Sequence, residues 1–278
     1  MQDQSIPLNR EFIQSANQFN VKRPTWRLSD SVYQQTLQSP RDHYEITGTK
    51  TGWGKSEQSN LWFSESGISL QGVEIKDKFL RFLFLDLLEM RQKSSRRYLL
   101  KSENDFAFSV NTSSDDMAQV RCRMLSMNDN LETVYKMDRD KTQRDTKATR
   151  LTNYLSCDIQ KADKHWYVIV DTPSNETPRI KLIEDGQQAS KVLQFTWIKD
   201  SSYLLNGEWR TLPINFQKFS GLKIERENQT ISALSFDGQH PKIWIGTQLV
   251  AEEKTILVAM SYSLMIYDWI DSSWRSAQ

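Results

Sequence analysis

The sequence predicts a mainly β fold: an antiparallel barrel, or a strongly curved sheet, enclosing one hydrophobic helix near the carboxyl end. Three observations predict it. Short apolar and aromatic runs recur from His43 to Ile245 between clusters of Gly, Ser, Asn and Asp, the punctuation of strands and turns. Nine Trp are spread along the chain, and large flat side chains suit pleated, half-buried surfaces. The stretch from Thr255 to Ile270 is the longest nearly uninterrupted apolar run, and it follows that β-rich body.

The chain has 278 residues, enough for one or two domains. Residues 1–40 are rich in Gln, Asn and Ser, carry Pro7, Pro24 and Pro40, and hold no sustained apolar period. They read as a polar arm docking through Phe12, Phe19 and Trp26. Residues 41–278 read as a single barrel domain. Its first strands are expected at Tyr44–Thr49, Leu61–Phe63, Ile68–Ile75, Tyr98–Leu100, Phe106–Val110, Ala118–Leu125 and Leu131–Met137. Phe79–Met90 fits either a buried strand or a helix; we read it as a strand passing into a helical turn. Asp138–Arg150 holds almost nothing that could be buried and reads as a solvated loop between strands.

The rhythm resumes at Trp166–Asp171, Ile180–Glu184, Leu193–Ile198, Glu208–Leu212, Leu222–Glu227, Ile231–Phe236 and Lys242–Ile245. Asn206 and Gly207 form the strongest hairpin signal, because both tolerate the positive φ of a type I′ turn. Asp185-Gly186 and Asp237-Gly238 are weaker versions. A helix over about Ala251–Asp268 then starts with Glu252 and Glu253 at the positive end of its dipole. It is apolar on every side, the pattern of a helix surrounded by protein. The run is shorter than the roughly 20 apolar residues of a membrane span, so no transmembrane segment is expected.

Composition narrows the function. The formal charge is +1, which argues against a surface built for nucleic acid. The polar start Met1–Arg10 lacks the basic and apolar segments of a secretory leader, which points to the cytoplasm. Cys122 and Cys157 both lie in strand-like segments. The missing leader favours two reduced core thiols; a disulfide between paired strands is the alternative, and the order reverses if a leader was trimmed.

Several chemistries fail on spacing. Gly48–Ser56 ends in Gly-Lys-Ser but carries one residue too many for a phosphate loop, and no helix follows. Gly67–Gly72 is one residue too long for a nucleophile elbow. Asp138 and Asp140 begin like a calcium loop, which Thr142 and Gln143 then break. His43, His165 and His240 lack a second His or a Cys at metal-ligand spacing. No catalytic residue, metal ligand or cofactor is therefore assigned. Basic residues do group, at Arg96 and Arg97 and again at Arg121 and Arg123. In an extended strand Arg121 and Arg123 share one face while Cys122 points to the other, so the pair could hold an anionic headgroup.

The ending, Ile231–Ile245 followed by Leu249–Trp269, resembles that of the tubby-like and phospholipid-scramblase-like superfamily, which wraps a barrel around one hydrophobic helix. The resemblance implies a barrel that binds lipids or phosphoinositides, or a peripheral membrane or regulatory module, without covalent catalysis. No acidic run matching the scramblase calcium site lies beside the helix. Three functions follow as expectations: a non-catalytic module binding anionic lipid or a protein partner; a cell-envelope lipoprotein with its leader removed; and a hydrolase using His43, His165 or His240.

Overall fold

A computed structural model describes residues 6, 8–23, 33–51, 54–70, 73–75, 91–112, 116–138, 141–173, 176–186, 193–199, 202–205, 208–211, 219–236 and 241–275. Contacts divide the chain into two units. The first comprises Met1–Gly54, Asn104–Leu125 and Asn153–Gln278; the second comprises Lys55–Glu103 and Ser126–Thr152.

The first unit opens with a short helix α1 (Arg10–Ser15), capped by the Asn9 side chain, which accepts from Glu11 N at 3.0 Å. β1 (Ala16–Asn20) and β2 (Tyr33–Gln38) follow. The amino-terminal stretch thus supplies strands to two sheets; Phe12 and Phe19 are buried, and Trp26 lies outside the described residues. β3 (His43–Thr51) bulges between Thr47 and Lys50, where Gly48 adopts φ 65. That positive φ explains the first glycine of the failed phosphate-loop match.

Three long strands come next: β6 (Arg91–Thr112), β7 (Met117–Asp138) and β8 (Lys141–Lys161), each giving one stretch to either unit. The sequence expected two strands where β6 runs and two where β7 runs. Lys141–Arg150, expected as a loop, instead opens β8. Its residues 143–149 are exposed, as the composition implies, but a strand next to β7 needs only its backbone groups paired. In the second unit, β4 (Lys55–Leu70) pairs with β6 from Lys55↔Glu103 to Ser69↔Arg91, and β5 (Val73–Ile75) pairs with β4. Phe79–Met90 lies outside the described residues.

β9 (Lys164–Pro173) and β10 (Arg179–Glu184) pair antiparallel, and Gly186 ends the second with φ 79. The strand after Asp185-Gly186, β11 (Gln194–Lys199), joins the other sheet and pairs with β14 (Phe219–Arg226). β12 (Ser202–Leu205) and β13 (Glu208–Thr211) pair with Leu205 opposite Glu208, the register a two-residue turn requires; Asn206 and Gly207 themselves lie outside the described residues. β14 (Phe219–Arg226), β15 (Gln229–Ser235) and β16 (Lys242–Gly246) form an antiparallel meander, with β1 added beside β16.

In the first unit one sheet runs β1-β16-β15-β14-β11 and the other β10-β9-β8-β7-β6-β3-β2. Among the described residues the hydrogen-bonded ladder does not close into a barrel: β11 and β10 end their sheets at one side, and β1 and β2 at the other.

The long helix α2 (Ala251–Ile270) outlasts its expected end by two residues, and Thr255–Asp268 are buried without interruption. Its core includes Leu222, Ile224 and Ile243 from one sheet and Ile46, Val110, Leu155 and Val168 from the other. All-round apolarity and burial therefore agree. The helix starts without a side-chain cap, with Glu252 and Glu253 in its first turn, and ends where Asp271 N donates to Tyr267 O at 2.9 Å. Among the described residues no helix is long and apolar enough to cross a membrane.

Candidate functional site

The first turn of α2 is tied to three other elements by its own side chains. Glu252 accepts from Lys164 Nζ of β9 at 2.9 Å, Glu253 from Arg226 of β14 at 2.8 Å, and Lys254 Nζ lies 3.1 Å from Asp42 Oδ2 before β3. Helical spacing makes this possible, because successive residues in a turn point to different sides. The Lys164 ammonium is held above its ordinary range first by the hydrogen bond it donates to Glu252 and then by that carboxylate's charge.

Beside the Glu252 and Glu253 face lies a cleft of about 290 Å³. Leu182 of β10, Leu193 before β11 and Ile256 and Leu257 of α2 supply its apolar surfaces, and Trp166 supplies an aromatic wall. Lys164, Arg226, Glu184, Glu252 and Glu253 rim it, so three carboxylates face two cations. A second hollow, of about 520 Å³, continues between β10 and β11 and shares Leu193 with the first. At its far end Trp197 Nε1 donates to Pro178 O at 2.7 Å, bridging the two edges. These groups can hold an apolar body with a charged end.

A third hollow, of about 350 Å³, lies on the face of α2 that carries Ala251, Lys254 and Thr255. Asp42 is engaged there by Lys254 and by Asn17 Nδ2 at 2.5 Å. The Tyr44 phenol is pushed above its ordinary range by burial first and by the Asp42 charge second.

The residues singled out by sequence fall as follows. Arg121 and Arg123 are exposed on β7 while Ala118, Val120, Cys122 and Met124 point inward, the expected alternation. Neither arginine has an ion pair among the described residues. Arg96 and Arg97, in the second unit, are engaged instead: Arg96 Nε donates to Glu132, and Arg97 Nε donates to both Asp129 oxygens at 2.9 and 3.0 Å. The Arg97 bond holds the Asp129 carboxyl below its ordinary range. An arginine already matched to a carboxylate must give that partner up to bind an anion.

Cys122 and Cys157 are joined in a disulfide in the buried core of the first unit, in place of the reduced thiols expected from the sequence. The sequence placed both on strands; only the pairing of β7 beside β8 brings them together.

His43 is part-exposed, with Nε2 3.5 Å from Glu45. His165 Nδ1 lies 2.9 Å from Asp158 Oδ1 on the outer face, and neither residue lines the cleft. His240 lies outside the described residues. No group of side chains with metal-ligating geometry occurs among the described residues. The cleft itself was missed by sequence reasoning. Glu252 and Glu253 were visible as helix-starting carboxylates, but their partners sit 88 and 27 residues away in the chain.

Set against known protein families, curated proteins and solved structures, the chain matches none.

Proposed function

We propose that this protein is a non-catalytic binding module working in an oxidising compartment, and that the cleft at the start of α2 receives an apolar group of its partner. The observation that carries the reading is the make-up of that cleft. Its surfaces are aliphatic and aromatic, and its charged rim is organised in pairs that border a bound group rather than act on it. The barrel-like shell that the tubby-like and scramblase-like resemblance implies is part of the same proposal: two sheets wrap the helix and leave their binding surface where the edges part.

The buried disulfide supports the compartment, because such bonds persist where thiols are not kept reduced. This favours the envelope alternative over the cytoplasm. Alkylation of protein taken from its own cells tests it: Cys122 and Cys157 should resist iodoacetamide until reduced, and labelling without reductant overturns it.

For the cleft, a solvatochromic apolar dye should bind at one saturable site and shift the emission of Trp166. Leu193→Arg should abolish that binding while the circular dichroism spectrum stays unchanged. Equal dye binding by the folded variant overturns the assignment.

A second reading rests on Arg121 and Arg123, exposed side by side on one face of β7. Two guanidinium groups so placed suit an anionic lipid headgroup. The protein should float with phosphatidylglycerol vesicles at low salt, and Arg121→Glu with Arg123→Glu should release it. Equal flotation by that variant removes the reading.

A further inference from the structure

We infer that the gap between β10 and β11 takes up an extended polypeptide segment of a partner, added as a strand along the edge of β10. The inference rests on the binding-module reading and names the chemistry of the partner.

Two edges meet across that gap. β10 is hydrogen-bonded only to β9 and β11 only to β14, so among the described residues each turns a row of backbone N–H and C=O groups away from its own sheet. β10 walls both hollows, β11 walls the second, and Leu193 just before β11 lines both, so these rows border one groove. The groove is apolar underneath: Leu182, Leu193, Phe195 and Trp197 are partly buried and pack on the core. An occupant must therefore satisfy a line of backbone donors and acceptors and also present apolar groups to the floor. An extended peptide with apolar side chains at alternate positions does both. A lipid chain meets only the second demand.

Charge orients the segment. At the α2 end Glu184, Glu252 and Glu253 face Lys164 and Arg226, an excess of one carboxylate. At the other end the Trp197–Pro178 hydrogen bond closes the gap. The bound segment thus lies along Ile180–Glu184 with a Lys or Arg reaching the carboxylates. The same excess disfavours an anionic headgroup at this place. β10 has six residues, so the paired stretch spans about 20 Å at about 3.3 Å per residue.

The test is selection of a random dodecapeptide display library against the full chain. Enriched sequences should alternate apolar and polar residues and carry a basic residue near one end. The best of them, synthesised, should protect the amides of Ile180, Leu182 and Glu184 from hydrogen exchange: Asp185 N donates to His165 O, so by alternation the N–H groups of Lys181 and Ile183 already face β9 and those of the even-numbered residues face the groove. N-methylation of the peptide backbone at alternate residues should weaken binding at least about tenfold in one register and little in the other, because only one register points its N–H groups at β10. Glu252→Gln should weaken peptides carrying the basic end and leave neutral ones unaffected.

Absence of enrichment, enrichment without alternation, or equal tolerance of methylation in both registers overturns the inference. If the dye still binds the cleft in that case, the binding-module reading stands and its ligand is an amphiphile instead. If neither peptide nor dye binds, both fall. Protection confined to β11, or peptides that merely copy this chain's own β10 and drive it to dimerise, also overturns the assignment to a partner.

Discussion

The Asp268 carboxylate accepts two hydrogen bonds from the guanidinium of Arg275, from Nε to Oδ1 at 2.5 Å and from Nη2 to Oδ2 at 3.1 Å. The same guanidinium donates to Phe219 O and lies 4.6 Å from the Phe236 ring centroid. Trp274 beside it stacks on Tyr267 at 4.9 Å. The pair sits at the end of α2, as the three ion pairs sit at its start.

Breaking the Asp268–Arg275 pair on one side strands a buried charge. Arg275→Met should cost about 3–5 kcal/mol in urea denaturation, whereas Asp268→Leu together with Arg275→Met should recover much of it. A single variant as stable as wild type would show that the pair is solvated.

The disulfide spans a sequence separation of 35. On the chain-entropy estimate its removal costs about 4 kcal/mol. Cys122→Ala with Cys157→Ala should lower the melting temperature, and reduction of the wild type should lower it comparably.

Leu264 is fully buried on α2. Leu264→Ala should cost about 2–5 kcal/mol, since a helix enclosed by two sheets cannot collapse easily onto the void. Tyr262→Phe should cost about 1 kcal/mol by leaving Gln35 Nε2, now 2.7 Å from the hydroxyl, without that acceptor.

Tyr44 gives an alkaline signature. Its folded pKa is raised above the ordinary 10.0, so above that pH the unfolded chain releases a proton the folded chain keeps. Stability should fall as pH climbs past 10.0. Tyr44→Phe should flatten that fall, and absorbance titration should find one phenol slow to ionise.

Asp129 gives the opposite sign. Its pKa is lowered from the ordinary 3.8 by the Arg97 hydrogen bond. Its contribution is present above 3.8 and lost as pH falls through the lower folded value. Arg97→Met should move the Asp129 titration, followed by carbon NMR, back up into the usual carboxylate range.

Much of the fold was legible in local pattern. Alternation on β7 set Cys122 inward and Arg121 and Arg123 outward, and the Asn206-Gly207 signal matched the register of β12 and β13. Other features misled for physical reasons. Lys141–Arg150 has no apolar residue but Ala148, yet a strand paired through its backbone needs none. Arg96 and Arg97 looked free because Glu132 and Asp129 lie 36 and 32 residues away.

By itself, the sequence determined that α2 would be enclosed and that strands would build the enclosure, because burial is written in the period of apolar side chains. Only the tertiary structure decided that Cys122 meets Cys157, that the ladder parts between β10 and β11, that Glu252 and Glu253 rim a hollow there, and that Lys254 lines another beside Asp42. Those facts depend on which distant strands become neighbours, and residues far apart in the chain leave no local period from which that choice could be read.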